Sequence, residues 1–498
     1  MSGFVGFPGC EVREKLDHPV IDMDAHVIEA PFALDDFILQ VGGPSALKAS
    51  QDMMKGALDV IANPDRPRPV MGSRFNRYAW WAAPSGTQSG DRAMVMLPRY
   101  FKARMDRAGL DFAHLITTEG LINLVIKDDE LRRVRCRANN MLLAEMCKDV
   151  GDRIRPVAQI PMNTPEEAID ELEFAVKQLG FKSAIISTEV RRVFPEVAKE
   201  APHLAAYAEQ VVSVAMDPLH DYDPFWQRCI DLGIAPMGHT SGNGARGRQS
   251  PSSFVNNHLG AFAAGAEWFV RSMFLGGVMH RFPKLHIAVL ECGASWAMAL
   301  INDIVEHYEK RNPQNLLKNL DPRKLDVKLM ADMFERYGDP RLTRERYLAN
   351  PHHPLLSDPE HFPAELDEFK RSGMTEVHDL KHLICDRVFF GCEADDRMTA
   401  VAFNRKLNPV GSKLNVMFGS DIGHWDVIDA ESILSEAWSL VDAGLVGMDD
   451  FRDLTCMNAV RLNTAMNPNY FDGTAVAAYV DQVVAAGQTS VRKAAVVA

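Results

Sequence analysis

The chain reads Ile21-Asp22-Met23-Asp24-Ala25-His26 near its start, a strand-like run that ends in an acid and a histidine two residues apart. In a β-strand, side chains at i and i+2 point to the same face, so the Asp24 carboxylate and the His26 imidazole are predicted to lie side by side. If the strand belongs to a parallel barrel, that face is the interior at the catalytic rim.

Short β-branched runs of this kind recur along the 498 residues, with helical patterns between them. Eight such runs are present, at 20–24, 111–117, 154–160, 183–187, 234–238, 286–291, 387–391 and 416–420. Eight is the number of strands that a closed parallel barrel needs. The sequence therefore predicts an α/β protein with a TIM-like (β/α)8 barrel, built as a single domain over residues 1–498.

Two of the helices between these runs have clear end signals. Thr164-Pro165-Glu166-Glu167 offers an N-cap, a first-turn proline and a capping-box acid, and Gly180 follows the last apolar position. Asp223-Pro224 opens a second helix, and Gly233 closes it directly before the next strand. This alternation of helix and strand supports the barrel prediction.

Two connections are much longer than a barrel loop requires. They are predicted to be insertions at 27–110, after the first strand, and at 296–386, after the sixth. Both leave the C-terminal end of a strand, where the catalytic face of a barrel lies. We therefore expect them to act as lid or cap elements over the substrate pocket and to offer subunit contacts.

Composition narrows the class of protein. With 47% hydrophobic and 24% charged residues, the chain is expected to be globular. A net charge of −13 would repel a phosphate backbone, so nucleic acid is not expected as a partner. No stretch approaches the roughly 20 uninterrupted apolar residues of a membrane helix, so no membrane association is predicted. These features favour a cytoplasmic protein with a small-molecule substrate.

The fifth and eighth predicted strands end in further residues of the metal-ligand type. Gly238-His239 ends the fifth strand, and Gly419-Ser420-Asp421 ends the eighth. Strand ends of a barrel converge over its mouth, where imidazole nitrogen and carboxylate oxygen suit Zn, Mn or Fe. One divalent ion, with zinc expected first, is thus predicted on Asp24, His26, His239 and Asp421. The alternative is a set of buried polar residues satisfied by hydrogen bonds.

The combined pattern resembles the amidohydrolase-related family, which includes aminocarboxymuconate semialdehyde decarboxylase and γ-resorcylate decarboxylase. The resemblance rests on Asp24-x-His26, His239, Leu275-Gly276-Gly277, Arg281-Phe282-Pro283-Lys284-Leu285, Gly419-Ser420-Asp421-x-x-His424-Trp425-Asp426 and Asn458-Ala459-x-Arg461-Leu462. It implies a barrel fold, one divalent ion, hydrolytic or decarboxylating chemistry on small organic acids, and a homo-oligomer, either a dimer or a tetramer.

The resemblance assigns the metal-ligand positions to Asp24, His26, His239 and Asp421, and it also shows one departure. Several decarboxylases of the family have a histidine followed by glycine at the end of strand six, whereas this chain reads Leu290-Glu291-Cys292-Gly293. If Leu290 faces the helices, as alternation along the strand permits, Glu291 points over the barrel mouth. It is then predicted to be a general base or a further ligand, with a structural acid as the alternative. The glutamate also counts against simple decarboxylation.

Other candidate site residues lie on loops of the catalytic face. They are His424 and His258 as catalytic residues, and Arg74, Arg77 and Arg191 as partners for a substrate carboxylate. Each also has a structural alternative: His424 could shape the loop after strand eight, His258 could orient the helix that follows, and arginines on inserted loops are often solvated.

Two reactions use the predicted ligands equally well. The first hypothesis is hydrolysis, in which the metal lowers the pKa of a bound water, Asp421 or Glu291 takes its proton, and the hydroxide attacks a carbonyl. The second is non-oxidative decarboxylation, which needs no hydroxide. A third, from another class, is a binding protein that has kept the barrel without catalysis. The motif alone does not separate the first two.

Overall fold

A computed structural model describes residues 7–62, 83–239 and 253–487. Its strands are β1 Ile21–Val27, β2 Phe112–Thr117, β3 Ile154–Pro156, β4 Ala158–Ile160, β5 Ala184–Ser187, β6 Val190–Val193, β7 Glu209–Val212, β8 Pro236–His239, β9 Ile287–Val289, β10 Val388–Glu393 and β11 Asn415–Gly419. Each of the eight predicted runs overlaps a strand, or in one case the pair β3 and β4, so the strand predictions are confirmed within a few residues.

Helices fill most of the connections. The α-helices are Gly9–Arg13, Pro31–Ala62, Ser89–Met96, Pro98–Ala108, Thr118–Asn123, Asp129–Cys147, Pro165–Lys177, Pro195–Glu200, Asp223–Leu232, Phe254–His258, Ala261–Leu275, Val278–Arg281, Ser295–Arg311, Pro313–Asn315, Val327–Tyr337, Arg344–Ala349, Thr399–Phe403, Ile433–Asp442, Met448–Arg452, Asn458–Met466 and Ala477–Ala485. Short 3-10 or π turns lie at Gly86–Gln88, Pro202–Tyr207, Leu316–Leu320, Pro322–Lys324, Lys370–Ser372, Val377–Asp379, Lys381–Cys385 and Asp453–Met457.

The strands of the barrel pair in parallel and in barrel order. One barrel sheet has the order β1-β2-β3 and the other the order β11-β10-β9-β8-β5-β4, while β6 and β7 form a separate antiparallel pair. They join within the third strand, where the Val157 N–H donates to Leu115 and the Ala158 N–H donates to Ser183. At the other edge, the Asp421 N–H donates to the Asp24 carbonyl at 2.8 Å, which links β11 to β1. The eight-stranded ring is therefore closed by hydrogen bonds on both sides.

Two hydrophobic clusters occupy the two faces of this ring. The larger lies between strands and helices, and the smaller fills the interior and contains Met23, Ile185, Met237, Leu290 and Met417. The C-terminal segment closes the interior from below, because Tyr470 and Phe471 belong to the same inner cluster. Among the helices that the structure describes, none combines the length and apolar character needed to cross a bilayer.

The two helices with strong end signals form as predicted. Pro165–Lys177 is capped by the Thr164 hydroxyl, which accepts from the Glu167 N–H at 3.1 Å. Asp223–Leu232 ends at Gly233, whose φ of 68° is the left-handed conformation that glycine adopts without strain. Both helices pack on the strands through the larger core cluster.

The long connections differ in part from the prediction. Residues 31–62 form a helix kinked at Gly43, and this helix packs through Leu34 and Ile38 against the helix Asp129–Cys147. The range predicted as the second insertion begins with Ser295–Arg311, a helix that buries Ile301 and Ile304 in the barrel core. Additional chain therefore starts after Arg311 rather than at residue 296. The lid role of both segments stays a prediction.

Candidate metal centre

Five buried side chains meet at the C-terminal mouth of the barrel. Asp24 and His26 come from β1, His239 is the last residue of β8, Glu291 lies two residues after β9, and Asp421 lies two residues after β11. Each is at most 7% exposed. The structure thus brings together all four predicted ligands, and Glu291 joins them.

His26 lies at the middle of this group. Its Nε2 is 3.3 Å from Asp24 Oδ1 and 3.4 Å from Asp421 Oδ1. The Nε2 of His239 is 3.7 Å from the same Asp24 oxygen and 3.3 Å from Glu291 Oε2. These atoms form two overlapping groups, each with its ligand atoms within 4.8 Å of one another: Asp24, His26, His239 and Glu291, and His26, Glu291, Asp421 and His424.

The spacing fits a divalent ion. Ligand atoms about 2.1 Å from a tetrahedral ion lie about 3.4 Å from one another, which is the separation seen between these nitrogen and oxygen atoms. Asp24 Oδ1, His26 Nε2 and Glu291 Oε2 are fully buried and have no hydrogen-bond partner among the described residues. Buried polar atoms are costly unless something satisfies them, and a cation between them would do so.

Burial also changes the proton affinity of the cluster. It raises the pKa of the Asp24, Asp421 and Glu291 carboxyl groups, and neighbouring carboxylates raise that of Asp421 and Glu291 further. Burial lowers the pKa of His26 well below its ordinary value, which keeps the imidazole neutral and able to act as a ligand. The three carboxylates can be charged together only with a compensating positive charge.

An irregularity in β1 allows both of its ligands to face the interior. Met23 packs in the inner cluster, whereas Ala25 and Val27 pack in the cluster against the helices. The register of β1 against β2 shifts between Asp22 and Ala25, a bulge that re-phases the alternation, so Asp24 and His26 point inward. The Asp22 carboxylate accepts from the N–H groups of Asp24 and Ser420, both at 3.0 Å, and ties this region to the loop after β11.

Two of the carboxylates occupy left-handed backbone conformations. Glu291 has a φ of 53° and Asp421 a φ of 51°, values that are uncommon for residues other than glycine. Leu290 packs in the barrel interior, so the prediction that it faces the helices is wrong. Simple alternation would turn Glu291 away from the mouth, but its left-handed backbone turns the carboxylate into the site.

Close packing of β11 against β1 depends on Gly419. A Cβ atom at this position would lie 2.8 Å from the Cβ of Asp24, closer than side chains tolerate. The glycine therefore lets the Asp421 loop approach Asp24, and this approach brings the two carboxylates into one site.

His424 covers one side of the cluster. Its ring stacks on His26 with centroids 4.0 Å apart, and its Nδ1 lies 2.7 Å from Asp421 Oδ1. The Nε2 lies 3.3 Å from the Thr118 hydroxyl, which orients the ring from the start of the helix after β2. His424 therefore lies at the centre, where it contacts two of the predicted ligands, and its catalytic role stays a prediction.

A cleft of about 700 Å³ leads from the solvent to Glu291. Its walls carry the aromatic side chains of Phe262, Trp296 and Trp425 together with His258. The His258 ring centroid lies 5.3 Å from that of Phe262 and 5.6 Å from that of Trp425. His258 thus lines the cleft as part of an aromatic group, and its catalytic role stays a prediction.

Of the three predicted substrate arginines, Arg191 is the one that the structure describes, and it is not part of this arrangement. Arg191 lies on β6 and pairs with Glu189 at 2.8 Å, in an antiparallel β6-β7 ribbon that the sequence analysis did not predict. It is not among the residues that line the cleft. Arg74 and Arg77 lie outside the described residues.

Several cleft residues were missed by sequence reasoning. They are the aromatic residues Phe262, Trp296 and Trp425 and the acids Glu393, Asp395 and Asp396. Glu393 ends β10, so the strand-end argument that found His239 could have found it had the seventh run been extended by two residues. Phe262 and Trp296 had no comparable signal, because they lie on helices whose placement depends on tertiary packing, whereas Trp425 directly follows His424 in the motif that carries the family resemblance.

Comparison with known proteins identifies relatives. Residues 21–311 match the family model described as amidohydrolase. Decarboxylase orsB of Emericella nidulans is 26% identical over 168 residues, which span 32% of this chain and only 44% of that relative. An amidohydrolase from Mycobacterium avium subsp. paratuberculosis K-10 aligns with a TM-score of 0.49 at 17% identity, covering 90% of this chain and 100% of that one.

A further solved structure is a dihydroxybenzoic acid decarboxylase from Polaromonas sp. JS666, with bound manganese and the inhibitor 2-nitroresorcinol. It aligns with a TM-score of 0.47 at 15% identity and covers 90% of this chain and 97% of that one.

Proposed function

The chain belongs to the amidohydrolase family, and from that premise we propose that it is a metal-dependent, non-oxidative decarboxylase of a small aromatic carboxylic acid. The observation that carries the proposal is the carboxylate and imidazole centre at the floor of an aromatic-walled cleft. The match to decarboxylase orsB supports the reaction type. Hydrolysis is the leading hypothesis from the sequence alone, and this match favours decarboxylation instead.

We propose that Asp24, His26, His239 and Asp421 hold one divalent ion. Two imidazole nitrogens and two carboxylates suit zinc, manganese and iron alike, so these ligands do not select one metal. A divalent ion bound there supplies Lewis-acid chemistry, which holds and polarises an oxygen of the substrate.

The chain's own residues orient the substrate and supply a proton. Phe262, Trp296 and Trp425 suit a flat ring in shape and polarity. Glu291 belongs to the metal-site cluster and also lines the cleft, so it faces both the centre and the substrate.

In the proposed reaction, the protonated Glu291 donates its proton to the ring carbon that bears the substrate carboxylate. The bond between that carbon and the carboxylate then breaks, its electron pair restores the aromatic ring, and carbon dioxide leaves. Glu291 remains as a carboxylate and regains a proton from water.

The proposal predicts release of carbon dioxide from a hydroxylated aromatic acid. The metal-loaded full chain would be incubated with 2,6-dihydroxybenzoate and related hydroxybenzoates in deuterated water. We expect one carbon dioxide for each substrate consumed and one deuterium on the ring carbon that lost the carboxylate. A product that retains its carboxyl carbon and gains oxygen-18 from labelled water would contradict decarboxylation.

Hydrolysis is the second candidate, and a specific observation favours it. Among the described residues, the cleft wall carries the acids Glu393, Asp395 and Asp396 and one arginine, Arg397, and this excess of acids does not favour an anionic substrate. Several decarboxylases of the family have a histidine at the position of Glu291. A glutamate there suits a general base that takes a proton from water. The oxygen-18 measurement separates the two reactions.

The assembly state is a further proposal. We expect a homo-oligomer, a dimer or a tetramer, on the basis of the family resemblance. Light scattering coupled to size-exclusion chromatography would give a mass of two or four chains, and a single-chain mass at working concentration would contradict it.

A further inference from the structure

We propose that the cleft selects aromatic substrates whose far end carries a positive charge or hydrogen-bond donors, and that it rejects substrates with a second carboxylate there. The inference rests on the proposed function only in taking this cleft as the substrate site. It holds whether the reaction at the centre is decarboxylation or hydrolysis.

The depth of the cleft separates an inner end from an outer end. Glu291 and Cys292, at 7% and 6% exposure, form the buried floor beside the metal centre. Trp425 and Met398, at 36% and 52%, lie at the mouth. A substrate that reaches the centre with one end therefore places its other end near the mouth.

The walls toward the mouth are strongly acidic. Glu393 and Asp395 are exposed and Asp396 is half-buried, whereas Asp426 lies beside Asp421 at the metal centre; all four line the cleft. Arg397 is the one arginine or lysine among the described residues that line it. These acids lie close enough to affect one another, since burial, followed by the charges of Asp426 and Asp395, raises the pKa of Glu393 to about 7. Above pH 7, where Glu393 is mostly ionised, a ligand group placed there meets a negative potential.

The cleft reaches the metal centre, because the buried Glu291 side chain forms part of its floor. Glu291 Oε2 is buried and has no hydrogen-bond partner among the residues described. Carboxylate oxygens accept hydrogen bonds and cannot donate them when ionised, so the acidic walls are satisfied by ligand donors such as ammonium, amine or hydroxyl groups. A second carboxylate offers acceptors only and adds like charge.

The size of the effect follows from the charge. A like-charge contact at about 6 Å in a partly buried cleft weakens binding by roughly tenfold or more, and an opposite charge strengthens it similarly. An exposed acidic rim that only contacts solvent would have no such effect, because water and salt would screen it. Acids that contact the ligand and acids that contact only solvent therefore predict different affinities for charged ligands.

Binding of three matched probes tests the inference. Isothermal titration of the metal-loaded full chain would use 4-(aminomethyl)benzoate, 4-methylbenzoate and benzene-1,4-dicarboxylate, which differ only at the far end. We expect affinity to fall in that order, with at least about tenfold between the first and the last at low salt. Equal affinities, the reverse order or no binding of any probe would overturn the inference.

Charge-removing variants identify the residues responsible. Asp396→Asn and Glu393→Gln keep the shape of the side chains, and we expect each to narrow the affinity gap between the first and last probes by several-fold. Asp303→Asn is the matched control, an exposed acid on the helix Ser295–Arg311 that does not line the cleft, and it should leave the gap unchanged. An unchanged gap in both cleft variants would overturn the inference.

Titration requires no turnover, so the two proposals can fail separately. If the probe affinities fall in the expected order but no carbon dioxide is released, decarboxylation is contradicted and the inference about the cleft stands. If carbon dioxide is released but the probe affinities do not follow that order, the inference about the cleft is contradicted and decarboxylation stands.

Discussion

Replacing His239 by alanine is expected to lower turnover at least about 10³-fold while the barrel stays folded. The imidazole is 1% exposed at the mouth, and its Nε2 lies 3.7 Å from Asp24 Oδ1 and 3.3 Å from Glu291 Oε2. The side chains that stabilise the ring lie below it, where Met237 of the same strand packs in the barrel interior. The loss should therefore fall on the metal centre rather than on the fold.

Turnover, metal content and thermal unfolding would be measured on the same preparation of His239→Ala. His307→Ala is the matched control, because His307 is exposed on the helix Ser295–Arg311, and it should behave as the unmodified chain. Full turnover in His239→Ala would contradict the assignment of this ligand. A variant that fails to fold would show that the residue stabilises the barrel, which is also contrary to the expectation.

Changing Glu291 to glutamine is expected to lower turnover by roughly 10²-fold or more while the metal is retained. Glutamine keeps the shape of the side chain but cannot deliver the proton that the ring carbon needs. If Glu291 is instead a metal ligand, the same change should weaken metal binding. Measuring turnover and metal content together distinguishes the two roles.

Glu309→Gln offers a matched control, since Glu309 is exposed on a helix away from the cleft. Near-normal turnover of Glu291→Gln with full metal occupancy would show that Glu291 is structural, and it would remove the proposed proton donor. The left-handed φ of 53° would then have to be explained by packing alone.

The positions of the four proposed ligands could be predicted because they depend on two regular features. Side chains alternate along a strand, and the C-terminal ends of parallel strands meet at one mouth. Asp24, His26, His239 and Asp421 all lie at such ends, and the structure places them together. The bulge in β1 was not predictable, but Asp24 and His26 still face the same side of the strand, as regular alternation predicts.

Glu291 shows where regular alternation fails. Regular alternation would place Glu291 at the mouth only if Leu290 faced the helices, but Leu290 packs in the interior. The strand ends at Val289, and the left-handed conformation at Glu291 reverses the direction of the side chain. Such a conformation has no sequence signal when the residue is not glycine or asparagine.

The cleft was harder to predict than the centre. Phe262 and Trp296 lie on helices that follow β8 and β9, and Trp425 lies on the loop after β11, so their meeting depends on packing between distant segments. Arg191 was selected for its charge, but Glu189 two residues away neutralises it. Which reaction occurs was left open by the motif for a chemical reason, since hydrolysis and decarboxylation use the same ligands.

Elemental analysis of the active protein tests the central claim most directly. Asp24, His26, His239 and Asp421 are proposed to hold one divalent ion per chain on which turnover depends. We predict one equivalent of metal in the active enzyme, parallel loss of metal and turnover on chelation, and recovery of both when one equivalent is restored. Full turnover by a chain that contains no stoichiometric metal would contradict the account.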